Sequence, residues 1–260
     1  MTAARSTAAS TSRRFTELVR AEELPTRLTW HARDTIAVLV IPATFFAYYI
    51  ARMMSAEAEV IGTIDVSLRI LFFVVLVVAN AEMLARHWRA FWTAKWRSLG
   101  LVAVGLVVVQ AVISVLSALL RPLTEGVPDA ASRITVDPDA ALLLLLFLSL
   151  GPTVTALIED FVFRHTLLLG LPVWSNKTLA ACAILINALL FGAIHYENFG
   201  GHLLLTLSYA GAGLVMNLVY LWTRNIWHVL LMHGLNNFLL GGPLIVLFVH
   251  WLGAAVGSGI

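Results

Sequence analysis

The chain has 260 residues, of which 60% are hydrophobic and 12% charged, and its formal net charge is +2. A soluble domain has about 25% charged residues, which excludes a globular domain in water. Apolar runs near the roughly 20 residues needed to cross a bilayer recur along the whole chain.

This composition, with a mean hydropathy of +0.87, describes a polytopic membrane protein. The small net charge gives no reason to expect a nucleic-acid partner. Cys182 is the single cysteine and lies in an apolar run, so no disulfide framework is expected.

Residues 1–33 differ from the rest. They carry Arg5, Arg13, Arg14, Arg20, Arg27 and Arg33 among Ser, Thr and Ala, with no apolar h-region, which is not a secretory signal. We read a poorly ordered cytosolic tail with a short interfacial helix, followed by one membrane domain over 34–260. Eight spans are expected, at about 35–54, 64–85, 98–120, 140–169, 178–195, 203–222, 226–240 and 243–258. The fold class is therefore all-α.

The loops agree with this count. The first, near 55–65, holds Glu57, Glu59 and Asp65. The second carries Arg86, Arg89, Lys95 and Arg97, and the third holds Glu125, Asp129, Asp137 and Asp139. Lys177 and Arg224 then fall on the side of the tail. Basic loops alternate with non-basic ones, so both termini are expected in the cytoplasm of a multi-pass plasma-membrane protein. Trp88, Trp92 and Trp96 suit an interfacial belt. Gly151-Pro152 lies inside the fourth span, which as one helix would run about 45 Å and needs a kink, tilt or protruding end.

That span contains "LIEDFVFRH". A charge at the centre of a membrane helix costs roughly 2.5–3.5 kcal/mol, so the cluster needs a reason to persist. Asp160 and Arg164 are i and i+4, acid first, and can neutralise each other. Glu159 is rotated about 100° from Asp160, and its own i+4 neighbour is Phe163, so it is the carboxylate left for work. The bland alternative for Glu159 is a protonated carboxyl that only hydrogen-bonds.

Two further clusters lie downstream. In "FGAIHYENFG", His195 closes an apolar helix one turn after Phe191, while Glu197 and Asn198 are expected to face water. In "WHVLLMHGLNNFLL", His233 and Asn237 share a face, and His228 near the helix start has an interfacial reading. The bland alternative for each is hydrogen bonding between helices. Together they offer a carboxylate, two imidazoles and a carboxamide. Glu and His can activate water, and His and Asn can donate to an oxyanion. Alternatively Glu159, His195 and His233 could hold a divalent metal such as zinc. Both routes are hydrolytic. Simple counting leaves Glu159 and His195 on the order of 10 Å apart in depth.

These three motifs resemble those of the CPBP intramembrane proteases, the family of CAAX proteases and bacteriocin-processing enzymes. Glu159, Asp160 and Arg164 match its Glu-Glu-x-x-x-Arg run, with "FVFRH" beside the usual "xxFRG". Phe191 and His195 match Phe-x-x-x-His, and His233 and Asn237 match His-x-x-x-Asn. The stretch "GLVMNLVYLWTRNIWHVLLMHGLNN" also looks familial. The likeness covers about 140–240, the expected catalytic core of a conical bundle.

The resemblance implies that Glu159 and His195 activate water, while His233 and Asn237 stabilise the oxyanion. It also implies a membrane-associated peptide or protein substrate in the bilayer. It departs from the family at Asp160, where a second glutamate is usual, and at His165, where a glycine is usual. The competing expectation is a transporter, scaffold or bacteriocin-immunity protein with a degenerate site. Against a transporter, spans one to three offer few polar side chains beyond Asn80 and Gln110.

Overall fold

Every regular element among the described residues is helical, as a chain that must satisfy its backbone polar groups without water requires. The structure is a computed structural model that describes residues 14–55, 57–124 and 141–257, with side chains to residue 253. The order is α1 (Phe15–Val19), α2 (Ala32–Met54), α3 (Ala58–Ala79), α4 (Ala81–Thr93), α5 (Lys95–Leu120) and α6 (Leu142–Glu159). A π-helix (Asp160–Leu169) follows, then α7 (Lys177–Ala193), α8 (Leu207–Thr223), α9 (Ile226–Leu240) and α10 (Pro243–Gly257).

Helices stand near all eight expected spans, but only six stretches among the described residues are long and apolar enough to cross a membrane. Helix α7 is a shorter apolar helix, and α9 with most of α10 counts as one stretch, Ile226–Gly253. Three local expectations are overturned. Asp65 is not in a loop: α3 starts at Ala58, and Asp65 lies buried about two turns inside it. The basic loop is largely helical, because α4 presents Met83, Leu84, His87 and Phe91 to the bundle while Trp88 and Trp92 lie on its more exposed side. His228 is fully buried rather than interfacial, with its ring against Phe15 and Phe91.

The acidic residues Glu125, Asp129, Asp137 and Asp139, like residues 1–13 of the expected tail, lie outside the described residues. Residues 15–25 pack against the bundle, whereas residues 26–32 are exposed. Asn225 donates to the carbonyls of Val19 and His87 at 2.9 and 2.8 Å, and its own carboxamide oxygen caps α9 through Trp227 N at 3.1 Å. Glu22 pairs with Arg86 and His87, and Glu23 with Arg224.

The core gathers where α6, the π-helix, α8 and α9 meet, around Phe161, Phe163, Met216, Tyr220 and Met232. Helices α7 and α8 approach closely at Gly192. A Cβ there would lie 2.7 Å from the Thr206 carbonyl and 2.9 Å from Ala210 N. Both are backbone atoms that cannot yield as a side chain would.

Candidate active site

Glu159 is the last residue of α6 and Asp160 the first of the π-helix. Both are buried. They meet the His233 imidazole from two sides, with Glu159 Oε2 4.0 Å from Nε2 and Asp160 Oδ1 3.5 Å from Nδ1. The angle of about 100° between neighbouring helical residues is thus spanned by one ring of α9. Asp160 also lies 3.4 Å from Arg164 Nε, though neither Asp160 oxygen makes a hydrogen bond to a described group. Arg164 is fully buried and its guanidinium lies 4.0 Å from the centroid of the Phe191 ring. Asp160 is therefore shared between Arg164 and His233, which the i, i+4 reading did not foresee.

His195 follows α7 directly, at the entrance to a 3₁₀ turn (Tyr196–Phe199) that Gly200 ends at φ +60°. Its Nδ1 is 2.8 Å from the Phe191 carbonyl. A carbonyl only accepts, so Nδ1 carries the hydrogen and Nε2 is the acceptor of the neutral ring. That Nε2 lies 3.7 Å from Glu159 Oε1. The depth mismatch expected from counting is closed by register. Asn187 Nδ2 donates to the Phe163 carbonyl at 2.8 Å, which sets α7 level with the π-helix about two turns below His195. The remaining gap of about 6 Å is bridged by the two side chains and the bend after Ala193.

Asn237 is fixed by a row of carboxamides. Gln110 of α5 donates to Asn236, Asn236 Nδ2 donates to Asn237 Oδ1 at 3.0 Å, and Asn237 Nδ2 donates to the Pro152 carbonyl at 3.0 Å. Glu159, His195, His233 and Asn237 all line one cavity of about 600 Å³. All four sequence candidates are brought together there.

Several cavity residues escaped the sequence reading. Asp65 and Arg69 of α3 form an ion pair at 2.8 Å, and Arg69 Nη1 donates to Thr155 Oγ1 at 2.7 Å. Both line the cavity with Gln110, Tyr209 and Asn198. The early spans are thus less apolar at the site than expected. The signal was present, because Asp65 and Arg69 have the same acid-first i, i+4 spacing as Asp160 and Arg164. Below the site, His165 Nδ1 lies 2.8 Å from the Tyr220 hydroxyl, so the side chain in the family's glycine position builds a buried polar contact.

A structural zinc site needs its ligand atoms at about 2.0–2.2 Å from one point. Glu159 lies 3.7 and 4.0 Å from the two imidazoles, a little beyond the roughly 3.4 Å that separates two ligands of one tetrahedral zinc. Among the described residues no three His, Cys, Asp or Glu side chains are arranged to hold a metal ion.

The model of a family described as type II CAAX prenyl endopeptidase Rce1-like matches residues 140–239, the segment that carries all three motifs. The match supports the CAAX-protease family and, with the apolar helices, a multi-pass membrane protein. No curated protein and no solved structure shows a significant match to the chain.

Proposed function

We propose, from the CAAX-protease character of residues 140–239, that the protein is an intramembrane endopeptidase. It hydrolyses a peptide bond of a membrane-associated peptide or protein, and prenylated C-terminal segments are one such class. The observation that carries this reading is the convergence of Glu159, His195, His233 and Asn237 from three parts of the chain on one cavity.

The separations between Glu159 and the two imidazoles exceed a hydrogen bond and leave Glu159 and His195 Nε2 to hold a water between them. That water's oxygen attacks the scissile carbonyl carbon and one of its protons passes to Glu159. His233 and Asn237 supply donors to the oxygen as it becomes negative. As the C–N bond breaks, the proton on Glu159 moves to the leaving nitrogen, which restores the carboxylate. Asp160 orients His233, and Arg164 balances Asp160. The protein resides in the plasma membrane with both termini in the cytoplasm, an orientation that rests on the basic loops.

The test is cleavage of a membrane-reconstituted peptide by wild type and Glu159→Gln. General-base loss lowers kcat by about 10²- to 10⁴-fold. Full activity in a folded Glu159→Gln protein would overturn the reading.

A further inference from the structure

Tyr209 lines the cavity from α8, and the mechanism above gives it no task. It lies in the membrane-crossing stretch Leu203–Thr223, where a hydroxyl is costly unless it finds a partner. Tyr220 shows the satisfied case. It stands about three turns further along α8, on nearly the same face, and its hydroxyl lies 2.8 Å from His165 Nδ1. The Tyr209 hydroxyl makes no hydrogen bond to a described group. Nor is it sealed in the core without a partner, as oxygens of Asp160 and nitrogens of Arg164 are. Its oxygen is therefore accessible.

The ring, by contrast, is held on two sides. His195 meets it with 4.8 Å between ring centroids at 72°, and Phe199 with 4.9 Å at 78°. Both are edge-to-face contacts, a favoured geometry for aromatic pairs. Phe199 belongs to the 3₁₀ turn that starts directly after His195, so the turn that places His195 also clamps Tyr209. A clamped ring fixes the direction of its C–O bond, and little further ordering is needed when a substrate arrives.

Place decides the task. His195 Nε2 is 3.7 Å from Glu159, the two groups between which the attacking water is held. The carbonyl under attack comes within about 3–3.5 Å of that water, so a side chain packed on His195 stands beside it. Asn237 spends one N–H on the Pro152 carbonyl, which leaves a single N–H beside His233 for the developing negative oxygen. We propose that Tyr209 is a further catalytic residue, whose hydroxyl donates to the substrate carbonyl oxygen as it becomes the oxyanion. The proposal rests on the endopeptidase reading. No bond forms or breaks at Tyr209, and its proton stays on the phenol oxygen throughout.

The experiment uses the full chain in nanodiscs and two peptides. One is dansylated, S-farnesylated and ends in Cys-Val-Val-Ala; the other is a hydrophobic membrane-spanning peptide without the prenyl group. A phosphinate analogue of each carries tetrahedral phosphorus in place of the scissile carbonyl. Tyr209→Phe keeps both ring contacts and removes the hydroxyl alone, and thermal unfolding checks that it folds. Removing one oxyanion donor lowers kcat by about 10²- to 10³-fold. With His233 and Asn237 still in place, a fall of roughly 10- to 100-fold is expected, with KM within about twofold. The phosphinate should bind more weakly by a similar factor, which a role in ring packing would not produce.

A fall in kcat matched by weaker phosphinate binding supports the proposal. Unchanged kcat, a loss confined to KM, or a fall in kcat with unchanged phosphinate affinity overturns it. A Tyr209→Phe chain that no longer folds also overturns it, because the hydroxyl is then structural. Each of these leaves the endopeptidase reading standing, since wild type still cleaves. If wild type cleaves neither peptide, that reading fails and the task of Tyr209 fails with it.

Discussion

Replacing Gln110 by Leu tests the row of carboxamides that ends at the proposed oxyanion donor. Each member donates in the same direction, from Gln110 to Asn236, to Asn237, to the Pro152 carbonyl, and aligned hydrogen bonds polarise one another. Asn237 has two N–H groups. One is spent on Pro152, which leaves one for the substrate oxygen. Leu fills a similar length but donates nothing, so the carboxamide oxygen of the buried Asn236 loses its partner.

An unsatisfied buried acceptor costs about 1–3 kcal/mol, enough for Asn236 to turn and release Asn237 Oδ1. Removing an oxyanion donor outright lowers kcat by about 10²- to 10³-fold. The Pro152 bond still restrains Asn237, so we expect a smaller fall of about tenfold, or ~1.4 kcal/mol in the barrier. The assay is steady-state cleavage of a reconstituted peptide, with kcat and KM separated. In an Asn237→Ala background the same Gln110→Leu change should add less than about twofold, because residues acting through one group are not additive. A full tenfold loss in that background, or a loss confined to KM, would refute the reasoning.

Chelator treatment should leave cleavage within about twofold of the untreated enzyme, because the proposed step uses the Glu159 carboxylate itself as the base; loss restored by zinc would mean that Glu159, His195 and His233 hold a metal. Gly192→Val should depress cleavage through the α7–α8 contact and cost roughly 1–3 kcal/mol of stability, as overpacking does, and unchanged thermal unfolding would argue against that close approach. For the docked N-terminal segment, partial burial raises the Glu22 pKa, but its bond to His87 and the charges of His87 and Arg86 outweigh this and hold it at about 2. A depressed acid stabilises docking above its ordinary value of 4.5 and loses that contribution as pH falls towards 2, so hydrogen-exchange protection of residues 15–24 should drop across that window, and constant protection would count against the Glu22 contact.

Apolar run length carried most of the architecture, because a membrane helix satisfies its backbone within itself. It failed at Asp65 and at α4 for one reason. A hydropathy window treats every charged residue as a loop marker, whereas Asp65 is neutralised within its helix by Arg69 and α4 buries one face and exposes the other. The site motifs were legible because spacing on a helix fixes which side chains share a face. Depth was not. The π-helix after Glu159 and the Asn187–Phe163 hydrogen bond set the register between α6 and α7, and neither leaves a periodic trace in the chain.

The same limit explains the four ionisable groups of "LIEDFVFRH". Pairing Asp160 with Arg164 balances two charges on paper, yet both are fully buried and the pair, at 3.4 Å, makes no hydrogen bond. A buried ion pair with poor geometry does not offset the desolvation of its members. Further partners come from other helices: the Phe191 ring lies over Arg164 from α7, and His233 stands against Asp160 from α9. The two later motifs therefore complete the electrostatics of the first as well as supplying its chemistry. His233→Ala should accordingly remove more than a catalytic donor, since Asp160 would lose a contact that Glu159→Gln leaves in place. The expected outcome is a clearly lower unfolding temperature for His233→Ala than for Glu159→Gln at similar loss of cleavage. Equal unfolding temperatures would mean that Arg164 alone holds Asp160.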